Sequence, residues 1–172
     1  RTLSNEENTT AGLSAQEAPN RLSPAGGEVI DRSSTLSFEF NGKVYSAHAG
    51  DTIGSALAAA GVKVLSRSFK YHRPRGILCC AGQCPNCLVQ VGDEPNVRAC
   101  RRLVEEGLSV RSQNAWPSLE SDVLSLTRFG SAFMPVGFYY KTFIRPKALW
   151  PYYEKFIRNA AGLGKVDISA PP

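Results

Sequence analysis

The residues of this 172-residue sequence that are best able to do chemistry are its five cysteines, which all lie between positions 79 and 100. Cys79, Cys84 and Cys87 form a C-x4-C-x2-C pattern, and Cys100 follows after twelve intervening residues. Plant-type [2Fe–2S] sites have this spacing, with three thiolates on one loop and a fourth farther along the chain. The spacing therefore predicts Cys79, Cys84, Cys87 and Cys100 as ligands of a [2Fe–2S] cluster.

The fifth cysteine, Cys80, fits this pattern less well, because counting from it gives C-x3-C to Cys84. We therefore assign Cys79 as the ligand and Cys80 as a small residue of the loop. A cluster held by four thiolates keeps a net negative charge, so the loop must bring backbone N–H groups close to sulfur. The small residues Ala81 and Gly82 stand where that approach is needed.

Three other uses of clustered cysteines follow from spacing alone. Zinc ribbons usually contain two C-x2-C pairs; only Cys84 and Cys87 form one here, although Cys80 and Cys100 could complete a four-thiolate site. A redox-active C-x-x-C of the thioredoxin kind would open a helix after a strand in a βαβ unit, which this pattern lacks. Buried structural thiols are the third use, and the grouping of all five cysteines in one short segment disfavours it.

A β-hairpin and then a helix are predicted before the cysteines. In residues 36–47, apolar and polar residues alternate on both sides of Asn41-Gly42, a dipeptide that favours a two-residue turn because both residues tolerate positive φ. Apolar residues at helical spacing follow over residues 53–60, with Asp51 as the predicted N-cap and Gly61 as the C-terminal stop.

Short strands are predicted after the cysteine loop, which covers residues 77–87. Residues 88–91 alternate as a strand, and residues 92–96 form a predicted turn. Residues 97–104 and 108–111 are predicted as two further strands. A hairpin, a helix and several short strands in so short a stretch predict a small α+β roll.

Two segments flank this roll. Residues 1–33 are polar and have no apolar period, so they predict an extended arm. Residues 114–172 are rich in aromatic residues and broken by prolines, so no long helix can hold them. Such a segment packs either on a partner protein or on the roll itself, and we favour the partner. The predicted domains are thus an arm (1–33), an iron–sulfur domain (34–113) and a partner-binding extension (114–172).

Composition and charge narrow the class of protein further. The sequence has 42% hydrophobic and 20% charged residues, which is typical of a soluble chain with a core. It contains no apolar run of transmembrane length and no visible secretory signal, so with its clustered thiols we expect a cytoplasmic location. The net charge of +5 is modest and concentrated in residues 66–75. This favours a local basic patch over a nucleic-acid-binding protein.

Several segments resemble known proteins. Residues 69–77 (FKYHRPRGI), 113–119 (QNAWPSL), 137–143 (GFYYKTF) and 160–164 (AAGLG) resemble the start of the large subunit of heterotetrameric sarcosine oxidase. The cysteine segment, residues 79–100, reads CCAGQCPNC with VRAC later. It resembles the small [2Fe–2S] subunits of hydrogen cyanide synthase and dye-linked proline dehydrogenases.

This resemblance implies a β-grasp, plant-type ferredoxin-like fold, to which the arm and the aromatic extension are added. It also implies an electron-transfer subunit of a flavoprotein dehydrogenase or oxidase acting on amines or N-methyl amino acids. FAD or FMN is expected on partner flavoprotein subunits, because this sequence has no G-x-G-x-x-G motif. We assign no catalytic residue, including His48 and His72, since a cluster carries the chemistry of a one-electron carrier.

Two alternatives to this function remain open from the sequence. One is a zinc-stabilised four-cysteine module that binds nucleic acid through the basic residues. The other is a structural subunit whose cluster never changes oxidation state.

Overall fold

The computed structural model describes residues 18–69, 71–129 and 145–160. Strands β1 (Asp31–Phe40) and β2 (Lys43–Ala49) form an antiparallel hairpin. Asn41 and Gly42 both have positive φ, as the predicted two-residue turn requires. Helix α1 (Ile53–Ala59) follows, so the predicted order of hairpin and helix is confirmed.

Five short strands complete the described sheets. Strands β3 (Ser66–Arg67) and β4 (Pro74–Arg75) pair with each other in a small antiparallel hairpin. Strands β5 (Leu88–Val91), β6 (Glu94–Arg98) and β7 (Leu108–Arg111) join the first hairpin in the main sheet.

The main sheet has the order β2-β1-β7-β5-β6. The β1–β7 pair is parallel, and the β1–β2, β5–β7 and β5–β6 pairs are antiparallel. A mixed sheet with one helix packed on it is an α+β architecture, so the predicted class is confirmed, and it is consistent with a ferredoxin-like fold. The parallel pair joins β1 and β7, the first and last strands of the sheet along the chain. It therefore holds the two ends of the domain side by side.

The hydrophobic core lies between the main sheet and α1. Phe38 and Phe40 of β1 point to the same face, as strand alternation predicts, and both rings pack on Tyr45 of β2. The other elements bury apolar side chains against them: Ile53, Ala56, Leu57, Val89, Val91 and Val110. Each large aliphatic side chain buried in this way contributes about 2 kcal/mol.

Two local predictions were wrong. The N-cap of α1 is Thr52 rather than Asp51: its hydroxyl accepts the N–H of Ser55, and the Ser55 hydroxyl accepts the N–H of Thr52. The turn after β5 is shorter than predicted, and β6 begins at Glu94, so the strand predicted over residues 97–104 ends at Arg98. Residues 94–96 are in a strand despite their turn propensity, because backbone hydrogen bonds pair β6 with β5.

The end of the predicted arm packs on the domain. The N–H of Asn20 donates to the carbonyl of Ala59 at 2.8 Å, at the end of α1. Arg21 reaches the fully buried carboxylate of Asp51, with Nη2 2.6 Å from Oδ2. The remainder of the arm, residues 1–17, lies outside the described residues.

The Arg21–Asp51 ion pair predicts a stability that depends on pH. Burial alone would raise the pKa of Asp51, but hydrogen bonds from Arg21, the His48 N–H and Ser55 outweigh it and lower that pKa. The stabilisation is therefore complete above the unfolded-state pKa of about 3.9 and is lost as the pH falls through the lower folded-state pKa. Asp51→Asn should lower the free energy of unfolding by about 3 kcal/mol at pH 7 and flatten its acid dependence.

Urea unfolding of the two proteins between pH 2.5 and pH 7 measures this difference. Asp93→Asn is the matched control, because Asp93 is exposed in the turn after β5. It should change stability by less than about 0.5 kcal/mol. An Asp51→Asn protein as stable as the parent would contradict the assigned ion pair.

Part of the predicted C-terminal extension also packs on the domain. Leu119 is buried in the core, and Ala115 packs against that core. A 3-10 helix covers Val123–Arg128, a second covers Lys147–Leu149, and α2 covers Trp150–Ala160. Residues 130–144, which contain many of the aromatic side chains of the extension, lie outside the described residues. No helix in the described segments is long and apolar enough to cross a membrane.

Candidate iron–sulfur site

The cysteine loop connects β4 to β5 and follows the irregular path that the sequence predicts. Cys80 and Cys84 lie in bends, and Cys87 lies in the turn that ends the loop directly before β5. Cys100 comes from the turn after β6, the strand that pairs with β5. The antiparallel β5–β6 pair thereby returns the distant cysteine to the end of the loop, where the Ala99 N–H donates to the Cys87 carbonyl at 2.9 Å.

The structure forms an outer pair of thiols from Cys79 and Cys84. The backbone N–H of Cys84 donates to the sulfur of Cys79 at 3.4 Å. Hydrogen bonds from the N–H groups of Cys84, Ala81 and Gln83, together with the Cys84 side chain, lower the pKa of Cys79 to about 6. Several N–H groups converging on one sulfur are the environment that an anionic thiolate needs.

The backbone of the loop makes this convergence possible. Cys80 and Gly82 have φ of 53° and 74°, so two residues in the left-handed region turn the chain around the Cys79 sulfur. A Cβ at Gly82 would lie 2.7 Å from Cγ of Arg101, whose side chain covers the loop there. Gly82 is therefore required both for its conformation and for this close approach.

An inner pair of thiols comes from Cys87 and Cys100, which are 1% and 9% exposed. Burial raises the pKa of Cys87, and the neighbouring thiol of Cys100 raises it further. Cys84 and Cys87 are only three positions apart in the loop, so the two pairs are neighbours. One pair is thus partly exposed and the other is buried in the core.

Two neighbouring pairs of thiols fit a binuclear cluster, in which each iron takes two cysteine ligands. In the described part of the chain, no group of three or more His, Cys, Asp or Glu side chains is already arranged to hold a metal ion. The N–H groups around Cys79 suit a cluster of net negative charge. Cys80 is exposed and belongs to neither pair, in keeping with its assignment as a loop residue.

Polar contacts that no sequence pattern predicted hold the loop on the β3–β4 hairpin. The Ser66 hydroxyl lies 3.4 Å from the Asn86 carbonyl, and Arg75 donates to the Pro85 carbonyl at 3.3 Å. The β3–β4 hairpin that carries Ser66 and Arg75 therefore contacts the loop between Cys84 and Cys87.

The same hairpin is held in turn by the C-terminal segment. Nδ1 of His72 lies 2.8 Å from Oδ2 of Asp122, and both side chains are buried. Arg67 donates to the carbonyls of Leu119 and His72 and lies 3.6 Å from Asp122. Arg67 thus points inward, although it belongs to the basic stretch that was predicted as a surface patch.

Comparison with known proteins agrees with this geometry. Residues 33–115 match the family model of the 2Fe-2S iron-sulfur cluster binding domain. The hydrogen cyanide synthase subunit HcnA of Pseudomonas aeruginosa is 32% identical over 79 residues, which cover 46% of this chain and 75% of that subunit. This chain belongs to the 2Fe-2S iron–sulfur cluster binding family. The predicted [2Fe–2S] cofactor is thereby confirmed.

The iron–sulfur chain is also similar to a much longer protein. It is 50% identical over 149 residues to the sarcosine oxidase subunit alpha of Rhizobium meliloti, which covers 84% of this chain and 15% of that subunit. The chain therefore spans a small fraction of that relative. The L-proline dehydrogenase of P. horikoshii matches 48% of this chain and 16% of its own, at 25% identity and a TM-score of 0.42. The predicted resemblance to sarcosine oxidase subunit alpha and to hydrogen cyanide synthase is confirmed.

The position of Arg101 predicts an effect on reduction potential. A reduced cluster gains negative charge, so a cation that lies on its loop favours reduction. Arg101→Gln should lower the midpoint potential by on the order of tens of millivolts, reduced by solvent screening. Arg98→Gln is the matched control, because Arg98 is exposed on β6 and has no described contact with the loop.

Redox titration followed by visible absorption measures both potentials. We expect the Arg98 variant to shift clearly less than the Arg101 variant. Equal shifts, or none in Arg101→Gln, would contradict a local electrostatic role of Arg101.

Proposed function

We propose that this chain is the [2Fe–2S] electron-transfer subunit of a flavoprotein dehydrogenase or oxidase that acts on an amine or N-methyl amino acid. Cys79, Cys84, Cys87 and Cys100 would hold the cluster, the first two as the outer pair and the last two as the inner pair. The observation that supports this proposal is that the four predicted thiols form two pairs, Cys79 with Cys84 in the loop and Cys87 with Cys100 at the end of the β5–β6 hairpin. We also propose a plant-type β-grasp topology. It is supported by the parallel pairing of β1 and β7, the first and last strands of the main sheet.

The chain's own residues would position and tune the site. When bound, the cluster supplies one-electron transfer. The N–H groups of Ala81, Gln83 and Cys84 would stabilise anionic sulfur at Cys79. Burial of Cys87 and Cys100 would exclude water from one side, while Cys79 and Cys84 remain near the surface on the other. This arrangement leaves one edge accessible to a redox partner.

The identity of the partner is inferred from the relatives. Two relatives of this chain are a subunit of sarcosine oxidase and a subunit of hydrogen cyanide synthase, and both names denote enzymes with more than one subunit. We propose that FAD or FMN is bound by partner subunits or domains, and that the complex works in the cytoplasm, where thiols stay reduced. In α2, Tyr152 and Phe156 are 74% and 72% exposed and one helical turn apart, which suits a contact with such a partner.

Purification of the tagged chain together with its native complex tests this function. We expect a red-brown protein with iron and sulfide in equal amounts, flavin in the copurified subunits, and an electron paramagnetic resonance signal after addition of substrate. Sarcosine and related secondary amines are the first substrates to add. A colourless protein that contains zinc would support the nucleic-acid module instead. A cluster that no substrate of the complex reduces would support a structural role.

A further inference from the structure

The outer pair of thiols, Cys79 and Cys84, lies in a long stretch of sequence that contains no acidic residue. From residue 52 to residue 92 there are five Lys and Arg residues and no Asp or Glu. One of the five, Arg67, is turned inward by the network around Asp122, and Lys70 lies outside the described residues. Arg73 and Arg75 remain as cations of the β3–β4 hairpin whose side chains are not held by an acid. Within the described part of the chain neither forms an ion pair with a carboxylate.

These two arginines border a cleft beside the cysteine loop. The cleft has a volume of about 510 Å³ and is lined by Tyr71, Arg73, Arg75 and Asn86, among others. The Arg73 guanidinium lies 5.0 Å from the centre of the Tyr71 ring, and Arg75 is bound to the Pro85 carbonyl. Both guanidinium groups are therefore held in place at a cleft that Asn86 also lines, and Asn86 lies in the sequence between two predicted ligands, Cys84 and Cys87.

An exposed apolar side chain follows the cleft-lining residue Arg75 closely in the sequence. Leu78 is 70% exposed and directly precedes Cys79. Two residues lie between it and Arg75, so the two Cα atoms are at most about 11 Å apart. A large aliphatic side chain in water beside charged groups is the usual composition of a contact surface, with apolar area for affinity and charge for orientation.

We propose that Arg73, Arg75 and Leu78 form a docking face for an acidic protein surface on the redox partner, which places that partner beside Cys79 and Cys84. This proposal rests on the proposed electron-transfer function. Charge complementarity selects the partner: two fixed guanidinium groups without acids attract carboxylates, and each can take a carboxylate in a bidentate fashion. A basic partner would be repelled from the same face.

Binding of two probe proteins to the full chain tests this face. Flavodoxin serves as an acidic FMN protein, and cytochrome c serves as a basic haem protein. Titration calorimetry at about 0.02 M and about 0.5 M ionic strength should show flavodoxin binding that weakens strongly with salt, and little binding of cytochrome c. Arg73→Gln/Arg75→Gln should weaken flavodoxin binding about tenfold at low ionic strength and much less at high ionic strength.

Leu78→Ser separates the apolar part of the contact from the charged part. It should weaken flavodoxin binding by a similar factor at both ionic strengths, because burial of apolar surface does not depend on screening. Lys43→Gln/Lys63→Gln is the matched control: it removes two cations that line a separate cleft of about 720 Å³, and it should leave binding within about twofold. If the double variant does not fold because the Arg75 contact with Pro85 is lost, the single variant Arg73→Gln is measured instead. The described contact of Arg73 is with the Tyr71 ring, so its loss should not prevent folding.

The midpoint potential of each variant is measured as well. It distinguishes arginines that bind the partner from arginines that only compensate the negative charge of the cluster. We expect Arg73→Gln/Arg75→Gln to weaken flavodoxin binding at low ionic strength whatever the shift in its midpoint potential. Unchanged flavodoxin binding would overturn the docking face, and a shifted potential with unchanged binding would assign the arginines to charge compensation instead. Absence of a cluster in the parent protein would contradict the proposed function. The flavodoxin titrations of the parent and the variants would still show whether the docking face exists.

Discussion

Serine at position 79, 84, 87 or 100 should remove the cluster or reduce it to a small fraction, whereas serine at position 80 should leave it nearly intact. Iron–sulfur clusters depend on soft thiolate ligands, and a hydroxyl is a poor substitute. Iron and sulfide content, visible absorption and electron paramagnetic resonance of the five purified variants measure the result. Cys80→Ser is the matched control, because it makes the same chemical change one residue from a predicted ligand.

The structure sharpens this series by predicting a difference between the two pairs. Loss of Cys87 or Cys100 leaves a polar hydroxyl at a buried position, so those two variants should also unfold more easily. Loss of Cys79 or Cys84 changes a partly exposed position, and the apoprotein should keep most of its stability. Loss of the cluster in Cys80→Ser together with its retention in Cys79→Ser would exchange the roles of these two neighbours.

A chain that ends at residue 129 should fold and bind its cluster, whereas one that ends at residue 114 should be strongly destabilised. The shorter chain lacks Leu119, which is buried in the core, and Asp122, which lies 2.8 Å from His72. Removal of a buried leucine and of one partner of a buried ionic network each cost several kcal/mol. The expected fall in melting temperature is at least about 10 °C.

Thermal unfolding of both chains, with their iron content, measures this effect. The boundary of the iron–sulfur domain predicted after residue 113 is thereby tested as well. In the full chain, Asp122→Asn and Leu119→Ala separate the polar contribution from the apolar one. Equal melting temperatures for the two truncated chains would mean that the segment after residue 114 contributes nothing to the domain. It would then support a role in binding a partner.

The local features of this protein could be predicted because each depends on residues close in sequence. The turn at Asn41-Gly42, helix α1 and strand β5 follow from backbone preferences and side-chain periodicity over a few residues. The N-cap was misassigned by one residue. Asp51 has a side chain suited to capping, but burial and Arg21 give it a different set of partners.

The sequence by itself determined which chemistry to expect, because the spacing of Cys79, Cys84 and Cys87 within one loop is a local property that favours a [2Fe–2S] cluster over a zinc site. Only the tertiary structure decided how the thiols are paired, which of them are buried, and that Arg67 turns inward to Asp122. The inner pair joins residues 13 positions apart in the chain, and the contact of Arg67 with Asp122 joins residues 55 positions apart. Contacts over such distances depend on the closure of the sheet, which the spacing of residues along a sequence does not describe.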